Sequence, residues 1–184
     1  CDKKPLAGVV VSDGYNCTAT DANGRYSLLK NDRATNITVS TPAGYLPQVD
    51  RYNRPLFFIP VEDGRSDYSF DLVKNKKNDK KHAFMTQADV QVVNEDELCL
   101  YDEQVADARE HFKQFKDRDI FALDAGDVVG DHPELYESSL RHRAGLGFPY
   151  YIANGNHDMQ YYGRTHETSK ARFEKNIGPT NYSF

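Results

Sequence analysis

Asp119-Ile-Phe-Ala-Leu-Asp-Ala-Gly-Asp-Val-Val-Gly-Asp131, followed at a distance by Tyr150-Tyr-Ile-Ala-Asn-Gly-Asn-His-Asp158, decides how this chain folds. Each half is a short apolar run that stops at glycine and a polar cluster. Ile120 to Leu123 and Phe148 to Ala153 are rich in β-branched and aromatic residues, the pattern of buried strands in an α/β sheet. In open α/β architectures the ligand crevice lies just past the carboxyl ends of the strands. Asp127, Asp131, Asn156, His157 and Asp158 should therefore converge there. Gly126-Asp127 alone reads as an ordinary turn, since both residues favour turns. Four specified residues in a row, Gly155-Asn156-His157-Asp158, arise by chance in about one chain in a thousand of this length, so the two stretches together read as a site.

Working outward, Ala83 to Val90 should be the first strand of the same sheet, with Asp89 and Gln91 on one side of its end. A helix is expected over Glu95 to Lys116. Tyr101, Val105, Ala108, Phe112 and Phe115 form its core-facing stripe, and Asn94 with Glu97 forms a capping-box-like start. Pro133 to Arg143 reads as a second helix crossing between parallel strands, and Thr168 to Asn176 has helical composition. Gly178 to Phe184 should begin another strand. His132 and His142 read as surface or cap histidines, and Asp131 as a turn residue near the substrate at most.

Gly126-Asp127-Val-Val-Gly-Asp131 followed by Gly155-Asn156-His157-Asp158 resembles the two central motifs of the calcineurin-like metallophosphoesterases, and Asp89-Val-Gln91 fits the Gln form of that family's earlier Asp-x-His motif. The resemblance implies hydrolysis of a phosphate monoester or diester at a dinuclear site, with metal-bound hydroxide as the nucleophile. It implies that Asp127 bridges two divalent ions, that Asp89 and Gln91 bind the first and that Asn156 binds the second. His157 would be the catalytic acid and Asp158 its orienting partner. An amide at Gln91, a harder ligand than imidazole, leaves the metals open among Mn, Fe, Zn and Mg.

Such a domain is a two-sheet β-sandwich flanked by helices. The family completes its ions with a later isolated histidine and a Gly-His-x-His motif, whereas His166 is the only histidine after His157. Residues 83–184 thus read as the N-terminal half of the catalytic domain, with the remainder expected from further sequence or another chain.

Leu6 to Leu72 shows short β-rich runs with turn signals at Asp13-Gly14, Asp21 to Gly24 and Pro42 to Gly44, the pattern of an all-β sandwich over residues 1–73. Expected strands include Tyr15 to Ala19, Arg25 to Leu29, Ile37 to Ser40, Leu56 to Ile59 and Tyr68 to Leu72. The run resembles the carboxypeptidase-regulatory or transthyretin-like sandwiches that precede some calcineurin-like phosphoesterases. Residues 74–82, five lysines with no apolar residue, read as a linker.

A net charge of −5 argues against binding a nucleic-acid scaffold, and no apolar run approaches the ~20 residues of a membrane span. The three cysteines show no metal-type spacing. Cys1 before Asp-Lys-Lys resembles the start of a mature bacterial lipoprotein, which implies a lipid anchor and a place in the cell envelope. The alternative reading is a non-catalytic surface module in which the sandwich binds and the phosphoesterase half is scaffold.

Overall fold

A computed structural model describes residues 4–160, 162–163 and 165–184. Cys1, the expected lipid attachment point, lies outside them. The chain forms two compact units, one of residues 1–48, 56–76 and 181–184, the other of residues 49–55 and 77–180.

In the first unit, β1 (Val10–Ser12), β2 (Cys17–Ala19), β3 (Asn36–Val39) and β5 (Phe58–Pro60) form an antiparallel sheet in the order β2-β1-β3-β5. β4 (Tyr45–Pro47) and β6 (Leu72–Lys74) form a separate antiparallel pair. The segment expected as a sandwich is therefore one four-stranded sheet and a two-stranded ribbon. Its core gathers Val11, Ile37 and Tyr68, with Tyr26, Leu28, Ile59, Val61 and Phe70 packed around them. The strand expected over Arg25 to Leu29 does not form. Tyr26 and Leu28 still use their alternation to reach the core, and the Tyr26 hydroxyl donates to the Tyr68 carbonyl at 2.7 Å, so burial is met without a ladder. The strand expected near Phe184 is also absent, and Tyr182 instead packs its ring against Phe57, 4.7 Å between centroids.

The second unit is a parallel sheet in the order β7 (His82–Gln87), β8 (Asp119–Asp124), β9 (Tyr150–Ile152). β7 pairs with β8 from His82 opposite Asp119 to Gln87 opposite Asp124, and Asp124 pairs with Ile152 on the other side. The three strands end level, which brings the segments that follow them to one edge.

Parallel neighbours require crossovers. The first is α1 (Glu95–Phe112), which the Asn94 side chain starts by accepting the Glu97 N–H at 2.9 Å. Three acidic residues lie in its first turn and Arg109 and His111 in its last, in favourable positions for the helix dipole. The second crossover is a 3-10 turn at Pro133–Leu135 leading into α2 (Tyr136–Arg143). α3 (His166–Ser169) and α4 (Ala171–Asn176) follow β9.

Leu98, Tyr101, Val105 and Phe112 of α1 share a core with Leu140 of α2 and with Ala122, Tyr150 and Ile152 of the sheet. Ala83, Met85 and Ile120 pack against it. On the opposite face of the sheet Phe84 stacks on Phe121, centroids 5.6 Å apart, and remains 56% exposed. No helix among the described residues is long and apolar enough to cross a membrane.

Candidate active site

The segments leaving β7 and β8 are stitched together by backbone hydrogen bonds. Asp89 N–H donates to Gly126 O at 3.1 Å and Gln91 N–H to Asp127 O at 2.9 Å. Among the described residues five non-glycine positions carry positive φ, and four of them, Asp89, Gln91, Asp127 and Asp131, lie in this one place. Left-handed backbone costs an ordinary residue about 1 kcal/mol or more, and such strain gathers at functional sites. Gly126, at φ +107, precedes Asp127. A Cβ on it would stand 2.5 Å from the Gly155 nitrogen. The loops after β8 and β9 are thus in contact, backbone against backbone.

That contact fixes Asp127, which is buried. Its Oδ1 accepts the His157 N–H at 2.9 Å, and its Oδ2 lies 3.1 Å from Gln91 Nε2. The same Nε2 lies 3.4 Å from Asp89 Oδ1. Asp89, Gln91 and Asp127 are therefore together, with one amide group between two carboxylates.

The two ends of an amide are interchangeable by a half-turn about the last side-chain bond. That turn would direct Gln91 Oε1 toward the same carboxylates and make a three-oxygen pocket of the kind a hard divalent cation takes. The donor set fits one such ion. Asn156 is exposed at the rim, in the turn closed by Met159 N–H donating to Asn156 O at 3.3 Å. Among the described residues no three His, Cys, Asp or Glu side chains group as a metal site.

His157 and Asp158 take different parts. His157 Nδ1 stands 3.1 Å from Asp131 Oδ1, an ion-pair approach rather than a linear hydrogen bond. Asp131 raises the imidazole pKa above its ordinary value and outweighs the opposing effect of desolvation, with the charges of Asp127 and Asp158 adding to the rise.

Asp158 is almost inaccessible, and its oxygens accept backbone N–H groups: Gly155 at 2.9 Å, Val128 at 3.1 Å and Val129 at 3.4 Å. Burial, the largest influence, pushes its carboxyl up while these three donors pull it down. Its backbone carbonyl accepts the Tyr136 hydroxyl at 2.8 Å. Asp158 therefore ties the loops after β8 and β9 together, and the carboxylate facing the His157 ring is that of Asp131. His132 and His142 pair with Glu134 and Asp102, each at 2.8 Å.

Asp124 and Arg143, which no sequence motif singles out, are buried directly behind the site. Asp124 Oδ2 accepts Arg143 Nε at 3.0 Å, Nη2 at 2.8 Å and Gln87 Nε2 at 2.7 Å. The signal for them was a charged residue at each of two core-facing positions, Asp124 ending an apolar strand and Arg143 ending a crossover helix.

Residues 1–75 match the family described as the N terminal of Calcineurin-like phosphoesterase. The match ends before Asp89, so the site residues lie beyond it. No curated protein and no solved structure matches the chain.

Proposed function

We propose that this chain, whose residues 1–75 match the N-terminal family of calcineurin-like phosphoesterases, takes part in metal-dependent hydrolysis of a phosphate monoester or diester through the residues at the ends of β7, β8 and β9. The observation that carries the reading is the meeting of Asp89, Gln91 and Asp127, with His157 hung on Asp127 by its backbone N–H. Asp89, Gln91 and Asp127 would hold one divalent ion. Asp127 and Asn156 would begin the shell of a second, an assignment that rests on the motif resemblance. Bound ions would supply an acidified water at neutral pH and positive charge against the phosphoryl oxygens.

The chain's own groups have definite tasks. Asp131 holds His157 through Nδ1 and favours its protonated form, which leaves Nε2 to give a proton to the departing oxygen. Asp158 keeps the loops in register through backbone N–H groups and does not touch the reacting atoms. A lipid anchor at Cys1 would place this chemistry at the bacterial cell envelope.

Elemental analysis and Mn2+ titration of the purified chain, with a chromogenic phosphate monoester and diester as substrates, test the reading. Mn2+ should bind, and Asp127→Asn should abolish binding. His157→Ala should leave binding in place and remove any hydrolysis. A chain that neither binds Mn2+ nor hydrolyses either ester would overturn the assignment and favour the non-catalytic surface module.

A further inference from the structure

Asp127 adopts a left-handed conformation straight after Gly126, also at positive φ, and most of what holds the pair comes from equally strained loops. Asp89 and Gln91 brace it through backbone hydrogen bonds, and both are themselves at positive φ. Asp124 is different. Its Oδ1 accepts the Gly126 N–H at 3.3 Å, and its Oδ2 is gripped from three sides by Arg143 Nε, Arg143 Nη2 and Gln87 Nε2.

Arg143 is fully buried. Its Nη1 donates to Ser139 Oγ one turn back on α2, and its guanidinium lies 5.1 Å from the centre of the Tyr101 ring. The Tyr101 hydroxyl donates to Gln87 Oε1 at 3.0 Å. One carboxylate thus joins β7, β8, α1 and α2 to the N–H immediately before Asp127.

A buried ion pair is poor evidence of stabilisation, because removing two charges from water offsets most of their attraction. This pair is also placed where an apolar pair would fill the same core without the desolvation cost. What an apolar pair could not do is hold the Gly126 N–H.

We propose that Asp124 and Arg143 are positioning residues that fix the strand-end turn and so hold Asp127 in its ligand geometry. The proposal rests on reading Asp127 as a cation ligand. It has a consequence for the metal-free chain that does not depend on that reading: with the grip removed, the turn should loosen locally while the core stays closed.

The test is amide hydrogen exchange, followed by NMR on the full metal-free chain, together with Mn2+ titration. The variants are Asp124→Leu/Arg143→Met, an apolar pair of similar volume, and Arg143→Lys, which keeps the charge and loses the planar fork. The His157 and Gln91 amides, which bond to Asp127, should exchange about tenfold faster or more in both variants. The amides of α1 and β8 should keep their protection, and Mn2+ affinity should fall about 10- to 100-fold, the range for groups that orient metal ligands.

Unchanged His157 and Gln91 exchange would overturn the proposal, whatever the metal does. So would a uniform loss of protection across α1 and β8 in both variants, since the pair would then be ordinary core. Local loosening in a protein whose wild type binds no Mn2+ would leave the positioning role standing and remove the ligand reading.

Discussion

Gly155 has no room for even a methyl group. A Cβ there would lie 2.0 Å from Asp127 Oδ1 and 2.4 Å from the Asp127 nitrogen, against groups that the surrounding hydrogen bonds hold in place. Gly155→Ala should therefore displace Asp127 and cost about 1 to 3 kcal/mol, the usual penalty of overpacking, in urea unfolding. Wild-type stability with intact Mn2+ binding would show that the two loops separate easily. Asp13 is the comparable residue of the first unit, a buried carboxylate accepting the N–H groups of Tyr15, Asn16 and Asn31 at 2.9, 2.6 and 2.7 Å. Burial alone would raise its pKa, and the hydrogen bonds outweigh it and bring the value below that of an ordinary carboxylate. A depressed folded pKa stabilises the protein above the unfolded value of about 3.9 and loses that contribution as pH falls through the folded one. Asp13→Ala should thus cost about 2 to 3 kcal/mol near neutrality. The gap between variant and wild type should begin to narrow as pH falls below about 4 in acid-unfolding curves. Residue types at the site were legible because Gly-Asn-His-Asp is dense in side chains that do chemistry. Which carboxylate faces His157 was not, because Asp131 and Asp158 differ only in where the loops send them.

At the scale of elements, α1 was readable almost to its ends, since its cap, acidic first turn and apolar stripe all agree. Asn94→Ala removes the acceptor for the Glu97 N–H and should lower stability by about 1 kcal/mol in a thermal melt. A change within error would mean that Glu97, whose carboxylate accepts the Val93 N–H at 2.8 Å, starts the helix without it. β8 and β9 were readable because glycine and polar residues follow them, whereas β7 ends at Gln87, short of the expected Val90, because no glycine marks its end. Arg25 to Leu29 was misread for the converse reason: alternation reports which side chains are buried, and a ladder also needs a neighbouring backbone in register. The pairing of Asp124 with Arg143 could not be read at all. It spans 19 residues and two elements, and no local period links them.

Across the whole molecule, the two units are closed in different ways. The first is a small antiparallel assembly whose core includes Val11, Ile37 and Tyr68. The second packs one side of a parallel sheet against two crossover helices. Parallel sheets are ordinarily covered on both faces. Here Phe84 and Phe121 lie ring against ring on the other face, with Phe84 more than half open to water. The native chain should consequently brighten an anilinonaphthalene sulfonate dye while keeping its near-ultraviolet dichroism. Phe84→Ser should dim the dye without shifting the dichroism. A loosened core gives the opposite pairing of signals, a bright dye with the dichroism lost, so dye fluorescence by itself would misclassify this well-packed protein as molten.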